Sequence, residues 1–228
     1  TVRMNSEANL KTELIRAHYE QRVIPGRDSY DILDWGSREA QLARFHVLTD
    51  FLVQHGLGAT PPARRLLDVG CGLSDLCSFL EALALHIDYV GVDVVPGILQ
   101  EARRRHPDRK LLLADIFHRE PFPPRTFDVA FASGTFNLNA GNNEAFVPTA
   151  LAALLPLVRK CLVVNFLHTR ARRKYDHCHY YEPDTLVRRV ENLTTRTEVR
   201  DDYLENDFTL TLWPPPDQGG VHELPSRI

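Results

Sequence analysis

Apolar residues gather in five short runs along the middle of the chain, at 66–69, 89–92, 111–114, 129–132 and 162–166. Runs this short and this continuous read as strands buried on both faces. Between them the spacing turns helical, over about 76–85, 96–105 and 145–158. Pro96 suits a first helical turn, where its missing N–H costs nothing. Pro148 and Pro156 predict a short or kinked third helix. The alternation of β and α elements predicts a parallel sheet covered on both faces.

The two ends of the chain follow other patterns. Up to about residue 23, Leu10, Leu14, Ile15 and His18 form a weakly apolar helical stripe, followed by the turn-rich Pro25-Gly26-Arg27-Asp28-Ser29-Tyr30. Ser37 is the predicted N-cap of a helix running to Gly56, with Leu42, Phe45, Leu48 and Leu52 at helical spacing. Late in the chain a helix is predicted at 183–193 and two strands at 195–203 and 207–213. In the second strand Phe208, Leu210 and Leu212 alternate with Thr209, Thr211 and Trp213, and the short link Leu204-Glu205-Asn206 predicts an antiparallel hairpin. The expected organisation is a helical cap over 1–60, a core over 61–213 and an extended or disordered Pro/Gly-rich tail over 214–228.

Composition narrows the function classes. At 228 residues the chain can bury one sizeable core, and a net charge of −3 leaves no footprint for duplex nucleic acid. No apolar run approaches the roughly 20 residues that span a bilayer. Cys71, Cys77, Cys161 and Cys178 form no C-x-x-C pair, and three lie in or beside predicted core elements. They read as free thiols of a reducing cytoplasm, with no structural zinc. With no signal peptide apparent, a cytoplasmic location is the expectation. Arg103-Arg104-Arg105 reads as a solvated helix face, and Arg170-Ala171-Arg172-Arg173-Lys174 as a loop that can attract an acidic substrate. Oligomeric state is open, a homodimer being one option.

The candidate chemistry starts at Leu66-Leu67-Asp68-Val69-Gly70-Cys71-Gly72-Leu73-Ser74, a strand, a glycine-rich turn and a helix start. Gly70 and Gly72 let backbone approach a ligand where a Cβ would collide, and the following helix N-terminus favours a polar or anionic group. Asp75 stands where the third glycine of a dinucleotide fingerprint belongs. Asp68, two residues before the first glycine, would repel a pyrophosphate but suits a cationic amine. Asp93, with Val94 beside it, ends the second predicted strand, 21 residues after Gly72, where an acid grips a ribose through both hydroxyls.

This arrangement resembles the class I S-adenosylmethionine (SAM)-dependent methyltransferases, by motif over about 64–137 and as a fold over about 64–213. The resemblance implies a doubly wound α/β core, with a seven-stranded, mostly parallel sheet and an antiparallel C-terminal hairpin strand. It implies SAM as cofactor, S-adenosylhomocysteine (SAH) as product, and Gly70, Cys71 and Gly72 beside the donor. It assigns Asp115 to the adenine amino group and Ile116 to the ring face. Ser133 would flank the methionyl part, with Phe136 and Asn137 facing the acceptor. The Asn/Asp-Pro-Pro-aromatic motif of enzymes that methylate DNA bases is missing here, which argues against nucleic acid.

Methyl transfer needs a base only where the acceptor must lose a proton. In Tyr175-Asp176-His177-Cys178-His179-Tyr180-Tyr181, His177 or His179 can serve as base, and Tyr180 or Tyr181 as an aromatic wall or orienting group. Asp176, His177 and His179 have metal-ligand chemistry, but their close spacing in one loop is a weak signal, and no metal is expected. In the N-terminal segment Trp35 suggests ring stacking in the pocket and Arg44 a partner for the SAM carboxylate. Alternatively Trp35 packs the cap and Arg44 pairs with Asp34 or Glu39. The expected function is methylation of an O or N atom of a small-molecule acceptor, with no nucleic-acid or membrane partner. A macromolecular acceptor (RNA or protein) and a non-catalytic SAM-binding protein are the alternatives. An oxidoreductase is disfavoured by Asp68 and the missing third glycine.

Overall fold

Five strands run parallel in the computed structural model: β1 (Arg64–Val69), β2 (Ile87–Asp93), β3 (Leu111–Leu113), β4 (Phe127–Ser133) and β5 (Val158–Leu167). With β6 (Arg196–Arg200) and β7 (Asp207–Trp213) they make a seven-stranded sheet in the order β3-β2-β1-β4-β5-β7-β6. β7 lies antiparallel to both β5 and β6. The described residues are 2–57, 64–117 and 121–216, with backbone only for 2–10. The expected boundary at 60/61 and residues 217–228 of the expected tail lie outside them.

The helices are α1 (Val2–Glu20), α2 (Ser29–Ile32), α3 (Arg38–Gln54), α4 (Asp75–Ala82), α5 (Pro96–Arg105), α6 (Asn143–Leu154) and α7 (Pro183–Val190). Alternate residues of each central strand feed opposite cores, as the two-residue strand period requires. Ala130, Ala132, Leu162, Val164 and Phe166 pack with α6 and α7. Val129, Phe131, Cys161 and Val163 pack with Phe45, Leu48 and Leu52 of α3 and Leu76 and Leu80 of α4. A third, smaller core beneath α1 joins Ile32, Leu73, Val95 and Ile98 to Ile15 and Tyr19.

Local chemistry explains most boundaries. The Ser37 hydroxyl caps α3 by accepting from Ala40 N at 3.1 Å. Pro148 cannot donate to the Glu144 carbonyl one turn back, and Arg189 of α7 donates to it instead at 2.8 Å. α6 thus runs on through Pro148 and ends at Leu154, just before Pro156 and short of the predicted 158; Leu155–Leu157 forms a 3₁₀ turn around Pro156, and β5 begins at Val158. The basic run in α5 is a solvated face at Arg103 and Arg104, but Arg105 turns inward. Arg104 and Arg105 converge on Glu101 at 2.7 Å, and Arg105 also holds Ser29 Oγ at 2.9 Å and the Arg27 carbonyl at 3.0 Å. α5 thereby grips the segment that enters α2, a helix too short for any sequence period to reveal.

Candidate active site

The floor of the site is the row of strand tips at β1 to β4. After β1 the chain turns through Gly70 and Gly72, at φ 71° and 55°, and Ser74 at φ 67°. Gly70 N and Cys71 N both donate to the Val92 carbonyl, at 2.8 and 3.0 Å, which locks the turn to β2. A Cβ at Gly70 would stand 2.7 Å from Thr135 Oγ1, and one at Gly72 would meet the Leu33 side chain at 2.8 Å. Both positions demand glycine by conformation and by space.

Asp93 sits inside this turn. One carboxylate oxygen accepts from Gly72 N at 3.0 Å, the other from Val95 N at 2.9 Å. Burial pushes its pKa up, and those N–H groups pull it part of the way back. At the tip of β3, Asp115 accepts from Phe117 N at 3.1 Å and from the Thr12 hydroxyl of α1. Beyond β4, Thr135 Oγ1 donates to the Val69 carbonyl at 2.7 Å, and a Cβ at Gly134 would come within 2.6 Å of the Trp35 ring.

The roof comes from three distant segments. α1 reaches the strand tips through Thr12, through Arg16 Nε to the Val94 carbonyl at 2.8 Å, and through the Glu20 carboxylate, which accepts from Gly97 N at 3.2 Å. The 33–35 segment lays Leu33 on Gly72 and Trp35 on Gly134. Asp34, at a left-handed φ of 60°, gathers His18 at 2.9 Å, Arg22 at 2.7 Å and His177 at 3.4 Å. His177 belongs to the connection between β5 and α7, and its ring stacks on His18 with centroids 5.6 Å apart. Behind Trp35, Arg44 lies 4.4 Å from the indole and pairs with Asp207 at 2.5 Å, both side chains being at most 3% exposed.

Floor and roof enclose a cavity of about 430 Å³. Of the residues singled out by sequence, Gly70, Gly72, Asp93, Val94, Asp115, Ile116, Ser133, Asn137, Tyr180, Trp35, Arg44 and the candidate base His177 line it. Trp35 Nε1 and Asn137 Oδ1 are buried in its wall and have no hydrogen-bond partner among the described residues.

Five expectations need correction, because those side chains do not line the cavity. Asp68 is buried and takes the Tyr89 hydroxyl at 2.7 Å, and burial raises its pKa to about 7. Cys71 turns into the core against Gly91. Phe136 packs among Phe117, Phe146 and Phe166. Tyr181 is 1% exposed and spends its hydroxyl on the Phe136 carbonyl at 2.8 Å. His179 pairs with Glu144 at 3.0 Å and leans edge-on against Tyr181. Arg44 does line the cavity, but its guanidinium serves Asp207 rather than Asp34, Glu39 or a free carboxylate site.

Sequence reasoning missed Lys11, Thr12, Ile15, Tyr19 and Leu33, all of which line the cavity. The residues present fit a nucleoside-bearing donor. A glycine turn brings backbone N–H groups to the rim, Asp93 retains lone pairs for ribose hydroxyls, and Ile116 offers an apolar face beside the acid of β3. No helix among the described residues is long and apolar enough to cross a membrane.

Comparison with known proteins agrees with this geometry. A family profile described as a methyltransferase domain matches residues 67–151. The chain is 30% identical over 111 residues to malonyl-[acyl-carrier protein] O-methyltransferase of Serratia marcescens, covering 49% of this chain and 40% of that protein. It is 38% identical over 101 residues to trans-aconitate 2-methyltransferase of Methylobacterium nodulans, covering 44% and 37%. It thus spans less than half the length of these relatives. Among solved structures, N-methyltransferase NodS from Bradyrhizobium japonicum with SAH matches at TM-score 0.64 and 15% identity, over 88% of this chain and 98% of that one. Magnesium protoporphyrin IX methyltransferase from Synechocystis with SAM matches at 0.62 and 12%, over 90% and 97%. At such identities the structural likeness is one of fold.

Proposed function

We propose that this chain is a class I SAM-dependent methyltransferase, a reading that the methyltransferase-domain match at residues 67–151 supports, and that it moves a methyl group from SAM to an oxygen or nitrogen of a small-molecule acceptor. The observation that carries the reading is that the glycine turn and the acids of β2 and β3 open into one cavity together with Ser133 and Asn137. When bound, SAM supplies an electrophilic methyl on a sulfonium and leaves as the neutral thioether SAH.

The chain's own residues supply alignment and dryness. Asp93, held by two backbone N–H groups, is already oriented for a ribose diol and loses no side-chain entropy on binding. Gly134, free of a Cβ, lets the Trp35 ring close down over the tip of β4. Leu33 and Trp35 shut out water from above, which strengthens every polar contact beneath them. In-line displacement then depends mainly on holding the acceptor opposite the sulfur.

A small acceptor is favoured over RNA by how the basic loop is used. Arg170 pairs with Asp201 at 2.8 Å and Arg172 with Glu205 at 2.6 Å, so half of that cluster is neutralised. A cytoplasmic, reducing setting is consistent with Cys71, Cys77, Cys161 and Cys178 all being free thiols.

The test is calorimetry with SAH, SAM and NADH, followed by transfer of tritiated methyl from SAM in a cell extract split by size. Heat with SAH and not with NADH, and label in the small-molecule fraction, is the expected result. Label confined to RNA or protein would transfer the reading to a macromolecular acceptor. Binding without transfer would make this a non-catalytic SAM-binding protein.

A further inference from the structure

The cavity lining holds two cations, Lys11 and Arg173, that no acid among the described residues neutralises. Among the described residues, its acidic lining consists of Asp93 and Asp115 at the tips of β2 and β3, and Asp34, which is ion-paired with Arg22. The rest of the lining comes in part from α1, the β4–α6 connection, α6 and the β5–α7 connection. These elements contribute Lys11 and Arg173 and no acid among the described lining residues.

Lys11 is the telling side chain. It is 7% exposed, its ammonium lies 3.8 Å from the centre of the Phe146 ring, and no carboxylate among the described residues reaches it. Lysine is almost never buried without a partner, because the charge is costly to remove from water. A single aromatic face offsets only part of that cost. Burial alone lowers its pKa to about 8, with no acid to raise it. Arg173, exposed at the cavity mouth, rests on the Tyr175 ring at 4.9 Å and likewise has no acidic partner among the described residues, unlike Arg170 and Arg172.

We propose that the acceptor is a small polycarboxylate: Arg173 draws it in, Lys11 anchors one carboxylate, and a second carboxylate is methylated to an ester. Anchor and nucleophile must be different groups, because an oxygen paired tightly with an ammonium is a poorer nucleophile. In the transfer a carboxylate oxygen lone pair forms the new C–O bond as the methyl C–S bond breaks. The sulfonium becomes a thioether, one negative and one positive charge disappear together, and no proton moves. Such a step needs no general base. His179 lies outside the cavity, whereas His18 and His177 line it and pair with Asp34; the carboxylate route makes no call on their basicity.

The proposal rests on the methyltransferase reading above, and the experiment separates the two. Wild-type protein is first titrated with SAH by calorimetry. With SAH bound it is then titrated with malonate, succinate, glutarate and citrate, with butyrate and 1,4-butanediol as controls. In parallel each compound is incubated with methyl-tritiated SAM, and methanol released by alkali is counted, since esters release it and ethers and methylamines do not. At least one polycarboxylate is expected to give heat and alkali-labile label, with none from the diol. Lys11→Met should raise KM for that acid by about tenfold or more while leaving SAH affinity nearly unchanged, and Lys11→Arg should recover most of the loss. If SAH binds but no acid gives heat or alkali-labile label, the polycarboxylate assignment is overturned and the methyltransferase reading stands. Lys11→Met matching wild type in KM also overturns it. If SAH gives no heat, both fall.

Discussion

Floor and roof of the cavity are held in opposite ways. On the floor the main polar groups are tied to backbone: Asp93 to Gly72 and Val95, Asp115 to Phe117, Gly70 and Cys71 to Val92. The roof is held by side chains reaching across the sequence: Arg44 to Asp207, Asp34 to His18 and His177, Thr12 to Asp115. Backbone-built sites are preorganised and resist single substitutions. A roof hung from a few ion pairs concentrates its energy in those pairs.

The contrast is broken most severely at Asp207. Arg44 is 3% exposed, and Asp207→Ala would leave its guanidinium buried and uncompensated, at a cost of about 3–5 kcal/mol. Urea unfolding should read that loss, and SAH affinity should fall with it as Trp35 loses the cation behind it. The double change Arg44→Met with Asp207→Leu should recover most of the stability, because removing both charges removes the desolvation cost. A single variant as stable as wild type would mean that the roof is held some other way.

Asp93→Asn probes the floor and should act on binding more than on folding. The amide keeps one acceptor for Gly72 or Val95 but loses the charge and a second acceptor toward a ribose. A weakening of SAH binding by about 1–3 kcal/mol is expected by calorimetry, against a smaller change in unfolding free energy. The reverse ranking would make Asp93 a turn-capping residue only.

The same contrast decides what the chain discloses before its structure is known. The floor is legible because its signals are local. A glycine pair must adopt positive φ, and acids at the ends of apolar runs must lie at strand tips. The roof is illegible because its partners are set by topology. Sequence offered Asp34 or Glu39 as partners for Arg44, yet its partner is Asp207, the first residue of β7. The inner face of α1 mixes Lys11, Thr12, Ile15, His18 and Tyr19, and it faces a cavity rather than oil, so no clean apolar stripe announces it. At 177–181 the residue types were suggestive but their direction was not. Leu138 bridges to Cys178, the segment is extended there, and alternate side chains part company. From Cys178 onward this holds: Cys178 and Tyr180 line the cavity, as His177 does before them, while His179 and Tyr181 turn away from it.

A milder test concerns the motif acid whose side chain does not line the cavity. Burial raises the pKa of Asp68 from 3.8 to about 7. The folded state therefore holds this proton more tightly than the unfolded chain does. Its contribution is greatest at acidic pH, falls as pH rises through that window, and stays level above it. Asp68→Asn abolishes the titration while an amide oxygen can still accept from Tyr89. The variant should gain on wild type between pH 4 and pH 8, by up to about 4 kcal/mol, the most a shift of that size can supply, with SAH affinity little changed. A large loss of affinity would return Asp68 to the ligand.

The smallest effect is expected at the residue that looked most catalytic. His179 sits in an aromatic, histidine-rich loop, the setting in which a general base is sought. Its imidazole instead pairs with Glu144, whose side chain is 44% exposed, and its backbone N–H donates to the Asn137 carbonyl at 2.8 Å. A solvent-exposed ion pair contributes about 0–1 kcal/mol, and the backbone bond survives any substitution but proline. His179→Ala should thus lower stability by less than about 1 kcal/mol and leave SAH affinity and methyl transfer at wild-type values across the pH range. If transfer instead fell with a new pH dependence while SAH bound normally, the β5–α7 connection would have to swing His179 inward when ligand binds. Floor and roof would then be distinguished by motion as well as by the way each is held.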